Sequence, residues 1–211
     1  MFTRARQADL QGKLTEAVAL YRQGLAVFPA AVDQLGYLGL DLLKLDDDKG
    51  ARNAWSQAIQ IGQKRLQANG GPSALQPGDS LFDDGHIQAA FKSYDAAWSK
   101  LRAEGAEVNP RFQDTGAAQD FFEALKLAGA GHLDEATHRL QSATTLSPDF
   151  EEAHYFLGNA LFAQGDIAQA KQQWMGVVGQ PGFRNQIVHG PDEYQIAAIT
   201  RLLATMKPNQ T

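Results

Sequence analysis

Residues 154–174 read HYFLGNALFAQGDIAQAKQQW, and this stretch predicts the local fold of the chain. Two small residues in it, Gly158 and Ala170, stand twelve positions apart, with Gly165 and Asp166 between them. Two helices joined by a tight turn can approach closely only where a small side chain lies at their crossing. Glycine can end the first helix, and aspartate can cap the second. The stretch therefore predicts a pair of antiparallel helices.

The same spacing of two small residues recurs along the chain. The pairs are Ala5/Ala17, Gly39/Ala51, Gly78/Ala90, Ala124/Ala136 and Gly158/Ala170. The first two pairs lie 34 residues apart, and so do the last two, whereas the intervals around the middle pair are longer. A large apolar residue follows each second small residue by four positions: Tyr21, Trp55, Tyr94, Leu140 and Trp174. Such a period is the signature of a repeat protein, in which stacked helix pairs share a continuous core.

This pattern resembles the tetratricopeptide repeat, whose 34 residues follow W-x2-L-G-x2-Y, then A-x3-F, then P. Two stretches match it best: His154-x2-Leu157-Gly158-x2-Leu161 with Ala170-x3-Trp174, and Leu35-x2-Leu38-Gly39-x2-Leu42 with Ala51-x3-Trp55. The resemblance implies an all-α solenoid, in which the helix pairs wind into a right-handed superhelix and a C-terminal helix caps the stack.

The resemblance also divides the chain into four parts. They are two repeats at 1–65, an irregular segment at 66–116, two repeats at 117–184, and a capping helix with a tail at 185–211. The first repeat lacks the start of its leading helix. The irregular segment holds a degenerate repeat and loops, because Pro72, Pro77 and Gly78 disfavour a full leading helix. Residues 63–80 and 105–116 are expected to be irregular connections.

The last part of the chain has the pattern of one amphipathic helix. Pro191 suits a first helical turn, and Asp192 and Glu193 suit the positive end of the helix dipole. The apolar stripe that follows consists of Tyr194, Ala198, Ile199, Leu202, Leu203 and Met206. Such a helix can cover the open end of a solenoid, with its apolar side inward and its polar side outward.

Composition narrows the classes of function. The chain has 211 residues, of which 44% are hydrophobic, no cysteine, and a formal net charge of -5. A mildly acidic chain without basic runs is unlike a binder of nucleic acid or of an anionic membrane. Residues 1–10 show no apolar signal segment, so a cytoplasmic location is expected by default. Because the repeat pattern is already under way at residue 1, a longer parent chain would leave a periplasmic or other location open.

The sequence carries no catalytic motif. It has no phosphate-binding loop, no His-Glu-x-x-His and no nucleophile elbow. Asp46, Asp47 and Asp48 lack the alternating spacing of a calcium loop and fall in a predicted turn. The five histidines do not share a helical face at a spacing of three or four, so they predict no metal site. We therefore expect a protein that is not an enzyme and that needs no cofactor or metal.

In proteins that this chain resembles, the first helix of each pair lines a concave surface. By that similarity, the residues expected to bind a partner are Tyr37, Leu40, Phe121, Leu125, Tyr155, Asn159 and Phe162. Large flat side chains bury much area and lose little conformational entropy, so they suit a surface that anchors a peptide. We therefore expect a scaffold or adaptor that binds an apolar or amphipathic segment of another protein. For any single aromatic residue, such as Phe122 or Phe156, packing between helices is the open alternative.

One known use of the family is disfavoured by the residues themselves. Chaperone-binding members hold a C-terminal carboxylate with Lys, Arg and Asn side chains. Asn159 matches one Asn position, but Tyr155 stands where a Lys is expected one turn earlier. A carboxylate bound there would lack charge-assisted partners. The alternative function is self-association, as a structural module or as a fragment of a longer solenoid.

Overall fold

The computed structural model describes residues 1–68, 75–104, 116–179 and 193–206, and all regular structure in these ranges is α-helical. The helices are α1 (Phe2–Leu10), α2 (Leu14–Val27), α3 (Val32–Lys44), α4 (Asp48–Ala68), α5 (Gln76–Asp83), α6 (Ile87–Ala103), α7 (Gly116–Ala130), α8 (Leu133–Leu146), α9 (Glu151–Ala163), α10 (Ile167–Gly179) and α11 (Glu193–Thr205). The prediction of an all-α chain built from helix pairs is confirmed.

The chain divides into two compact units. Unit 1 contains α1 to α4 and α11, together with Val177–Gly179. Unit 2 contains α5 to α9 and the remainder of α10. The four-part division drawn from the sequence follows the repeat pattern rather than compactness, and it stays a prediction.

Helix pairs cross where the first helix carries its small residue. Gly39 of α3 faces Trp55 of α4, and Gly158 of α9 faces Trp174 of α10. In both pairs a Cβ atom on the glycine would overlap the indole ring. The large residues four positions after the second small residue are all completely buried: Tyr21, Trp55, Tyr94, Leu140 and Trp174. The register predicted from the small residues is therefore the register of the fold.

The turn inside each pair uses one residue with a left-handed backbone. These residues are Gly12 (φ 72°), Asp46 (φ 59°), Gly85 (φ 79°), Gly131 (φ 95°) and Gly165 (φ 86°). Two of the turns are followed by an aspartate cap. Asp47 accepts the backbone N–H of Gly50 at 2.8 Å, and Asp166 accepts that of Gln169 at 3.0 Å. These bonds satisfy backbone donors that the first turn of a helix leaves without an intrahelical partner.

The segment predicted to be irregular is more regular than the sequence suggested. Helix α4 continues to Ala68, and α5 begins at Gln76, so most of the described part of 63–80 is helical. The expectation of an irregular connection there was wrong. Pro77 lies in the first turn of α5, where a missing N–H costs no hydrogen bond. Residues 69–74 and 105–115 lie outside the described residues.

The C-terminal helix is present as predicted. Its residues Tyr194, Ala198, Ile199 and Leu202 are buried. Helix α11 packs on α4 and also contacts α3, so its apolar side covers the second helix pair of unit 1. Pro191 and Asp192, which were expected to open this helix, lie outside the described residues.

Candidate protein-interaction surface

The partner-binding positions predicted on α9 are Tyr155, Asn159 and Phe162. Tyr155 and Asn159 are completely buried, and Phe162 is half-buried. Two of the three contact α5. The Tyr155 hydroxyl donates to Asp79 Oδ1 at 2.6 Å, and the ring of Phe162 lies 6.0 Å from that of Phe82. Helix α5 therefore contacts the face of α9 that was predicted to bind a partner.

A second hydroxyl converges on the same carboxylate oxygen. Tyr94 of α6 donates to Asp79 Oδ1 at 2.7 Å. The ring of Tyr94 also packs against Gly78, where a Cβ atom would overlap it, and lies 4.8 Å from the ring of Phe156. Asp79 thus links three helices of unit 2, because its carboxylate accepts hydrogen bonds from both α6 and α9.

The positions predicted on α7 are Phe121 and Leu125, and both are completely buried. The ring of Phe121 lies 5.5 Å from Trp98 of α6, and 5.0 Å from Phe150 just before α9. Edge-on and tilted ring contacts at these distances are favourable. Phe121 is therefore part of the aromatic core of unit 2.

The positions predicted in unit 1 are Tyr37 and Leu40 of α3, which are also buried. The guanidinium carbon of Arg6 lies over the Tyr37 ring, 4.6 Å from its centroid. The ring of Tyr21 is 6.2 Å away. Tyr37 therefore packs between helices of its own unit.

The sequence placed these residues on the right helices but did not show what covers them. Six of the seven side chains are buried against other parts of the chain. The physical reason in unit 2 is that α5 and α6 supply side chains to the faces of α7 and α9. Whether these residues bind a partner stays a prediction.

The polar atoms of Asn159 have no hydrogen-bond partner among the described residues. Its side chain is 0% exposed, and neither Oδ1 nor Nδ2 has a hydrogen-bond partner. Burying an amide without a partner costs about 1–3 kcal/mol. Each such group in a native structure requires an explanation.

Each of the two best-matching helix pairs contains a hydrogen bond from its tryptophan, and the two bonds occupy equivalent positions. Trp55 Nε1 donates to Gly36 O at 3.1 Å, and Trp174 Nε1 donates to Tyr155 O at 3.3 Å. Each acceptor lies three residues before the glycine at the helix crossing. The family profile described as tetratricopeptide repeat matches residues 127–173. This part of the chain is therefore similar to the tetratricopeptide repeat. In this family the repeats generally serve as scaffolds for protein–protein interaction, typically without catalytic activity.

Several solved structures are similar to this chain. MamA 41-end from Desulfovibrio magneticus RS-1, and a double mutant titled MamA RS-1 ArsTM, are each 17% identical, with 83% of this chain and 89% of that chain covered and a TM-score of 0.30. The TPR domain of P58(IPK) is 15% identical, with 96% of this chain and 64% of that chain covered and a TM-score of 0.32. No match was found among curated proteins. These likenesses are too distant to carry an argument about function.

The first two repeats contain an ionic cluster that the sequence pattern did not reveal. Lys44 Nζ donates to Asp9 Oδ1 at 3.1 Å and to Asp41 Oδ1 at 3.3 Å, and Arg6 pairs with Asp9. Burial and the neighbouring Asp9 raise the pKa of Asp41 to about 7. Burial alone would raise the pKa of Asp9 too, but its contacts with Asp41 and Lys44 outweigh burial, and that pKa is lowered. The cluster therefore links α1 to α3 and contains one carboxyl group that titrates near neutral pH.

The first repeat also exposes large apolar side chains. Met1 is 59% exposed, Val27 is 64% exposed and Phe28 is 63% exposed. The ring of Phe28 lies 6.3 Å from that of Phe2, so these residues form one surface where α1 begins and α2 ends. We call it the Phe28 patch. An apolar patch of this kind can mark an interaction site.

Within residues 1–68, 75–104, 116–179 and 193–206, no group of three or more His, Cys, Asp or Glu side chains could hold a metal ion. Among the helices of the same ranges, none combines the length and the apolar character needed to cross a membrane.

Proposed function

We propose that this chain is a protein-interaction scaffold that binds a peptide segment of a partner along the face of α9 formed by Tyr155, Asn159 and Phe162. The observation that carries the proposal is the unpaired amide of Asn159. A peptide backbone offers both a carbonyl and an N–H, so one residue of a bound segment can pair with Oδ1 and Nδ2 together. No side chain in the described part of the chain pairs with either atom.

The neighbours of Asn159 suit the same task. Tyr155 lies one turn before it and presents a hydroxyl, and Phe162 lies one turn after it and presents a half-buried ring. Because residues three and four apart share a face of a helix, the three side chains form one continuous strip. A strip with an amide flanked by aromatic residues can hold a backbone group and an apolar side chain of one segment.

The test uses peptides selected from a displayed library against the purified chain. Affinities of the selected peptides are then measured for the unchanged chain and for Asn159→Ala by fluorescence anisotropy. We expect Asn159→Ala to weaken binding about tenfold, the effect of losing about 1.4 kcal/mol of hydrogen bonding. Gln172→Ala, an exposed change on α10, is the matched control. The proposal is refuted if the Asn159→Ala and control chains bind every selected peptide with equal affinity.

A second candidate function is self-association through the Phe28 patch. Three large apolar side chains exposed together are the specific observation that favours it. Sedimentation velocity of the purified chain over a range of concentrations provides the test. We expect an assembly that Phe28→Ser dissociates, with Leu146→Ser, an exposed apolar residue of α8, as the control. A monomer at all concentrations would exclude this function.

A further inference from the structure

We propose that α5 holds the Tyr155–Asn159–Phe162 strip closed, and that the partner is a helical segment presenting the same pair of side chains as α5, a carboxylate followed three residues later by an aromatic ring. This inference rests on the proposed function and adds to it the chemistry of the partner and a mechanism of control. In α5 the pair consists of Asp79 and Phe82.

The contacts of α5 define what the strip recognises. Asp79 meets the Tyr155 hydroxyl, and Phe82 meets the Phe162 ring, so each side chain of the pair meets one end of the strip. Residues three apart lie on the same face of a helix, which lets one short helix present both. Helix α5 gives no hydrogen bond to Asn159, which lies between those two contacts. The chain's own segment therefore makes the side-chain contacts of a partner and leaves the amide unpaired.

The Asp79 contact selects for an acceptor. The hydroxyls of Tyr94 and Tyr155 both donate to one carboxylate oxygen, at 2.7 and 2.6 Å. Hydrogen bonds to an ionised oxygen are stronger than those between neutral groups. An ammonium group in the same place could not accept either bond. We therefore expect an acidic side chain at this position of the partner, although the strip itself has no cation.

The shortness of α5 makes it suitable for displacement. It has eight residues, and one of them, Gly78, has a low helix propensity. Helices shorter than about 12–15 residues are marginal by themselves, so tertiary contacts keep α5 helical. A partner helix that supplies the same two side chains, and in addition pairs with Asn159, can replace those contacts.

The probes are alanine-based helical peptides of about 16 residues, long enough to form a helix. One carries Asp-x-x-Phe, one Asn-x-x-Phe and one Asp-x-x-Ala. Their binding is measured by fluorescence anisotropy to the unchanged chain and to the double variant Asp79→Asn, Phe82→Ala. If α5 closes the strip about nine-tenths of the time, the double variant binds the Asp-x-x-Phe peptide about tenfold more tightly than the unchanged chain. For the other two peptides, the increase in affinity from the unchanged chain to the double variant is smaller.

Two controls separate recognition from loss of structure. Asp84→Asn removes the same charge from an exposed position just after α5, and it should leave affinity unchanged. Tyr155→Phe, added to the double variant, removes one hydroxyl donor and should weaken binding of the Asp peptide but not of the Asn peptide. Equal loss for both peptides would mean that Tyr155 acts only as packing, and the inference would fail.

Hydrogen exchange on the unchanged chain covers the case in which the double variant does not fold. Added Asp-x-x-Phe peptide should speed amide exchange in α5 and slow it in α9. Unchanged or slower exchange in α5 overturns the inference. If library-selected peptides still depend on Asn159 while the Asp-x-x-Phe peptide binds neither form of the chain, the inference fails and the proposed function stands. If no selected peptide depends on Asn159, the proposed function itself fails.

Discussion

Replacement of Asp41 by asparagine should stabilise the protein more at pH 8 than at pH 5. The Asp41 side chain is 1% exposed, and its Oδ1 receives one hydrogen bond, from Lys44. Its second oxygen has no hydrogen-bond partner among the described residues. An ionised carboxylate in this place is poorly solvated and faces the negative charge of Asp9, whereas a protonated one or an amide avoids both penalties.

The sign and size of the expected stability change follow from the pKa of Asp41. The pKa of Asp41 is raised from 3.8 to about 7, so between these values the folded chain keeps a proton that the unfolded chain has released. Stability from this group is therefore complete below pH 3.8 and falls as pH rises to about 7. About three pKa units correspond to roughly 4 kcal/mol. Because the Lys44 side chain is 42% exposed and its interactions are screened by solvent, we expect roughly half of that, about 2 kcal/mol.

The assay is urea unfolding followed by circular dichroism between pH 4.5 and 8.5 (about 0.5 unit apart), at constant ionic strength. The free energy of unfolding of the unchanged chain should fall over this range relative to that of Asp41→Asn. The matched control is Glu16→Gln, which changes an exposed carboxylate on α2. If the difference between Asp41→Asn and the unchanged chain is the same at pH 5 and pH 8, the burial argument for Asp41 is refuted.

Three further changes test the packing and the caps, each by urea unfolding. Gly158→Leu forces four carbons into the Trp174 ring and should lower the free energy of unfolding by about 2–4 kcal/mol; an unchanged value would contradict the assigned crossing. Asn159→Ala should leave stability unchanged or raise it by about 1 kcal/mol, since it removes an unpaired buried amide; a large loss would show that Asn159 has a structural partner. Asp166→Ala should cost about 1 kcal/mol through loss of the cap on α10, and no cost would mean that the Gln169 bond is not formed in solution.

The helix pairs could be predicted from the sequence because their determinants are local. Gly158 and Trp174 lie 16 residues apart in one helical hairpin, and the turn between the two helices brings them into contact. The same holds for Asp166, which caps the helix that it precedes. Spacing alone therefore carries the information about crossings, turns and caps.

The candidate surface could not be predicted in the same way because it depends on distant contacts. Helical periodicity places Tyr155, Asn159 and Phe162 on one face, but it does not say what covers that face. Tyr155 and Asp79 are 76 residues apart, and Asp9 and Lys44 are 35 apart. These contacts follow from how the helices of each unit pack. No local sequence pattern predicts that packing. The same limit explains why the sequence predicted α11 as a cap but not the helix pair that it covers.

The short first helix of the third repeat, α5, connects the fold with the proposed function. Pro77 and Gly78 made the third repeat look degenerate, and in the structure they lie in its first helix, which has only eight residues. A longer helix would be less marginal by itself and would be harder to remove from the strip. A helix this short owes its order to Asp79, Phe82 and the Gly78 crossing, so competition for the first two contacts acts directly on its stability. On this argument, lengthening α5 should reduce peptide affinity, because the partner would then have to displace a more stable helix.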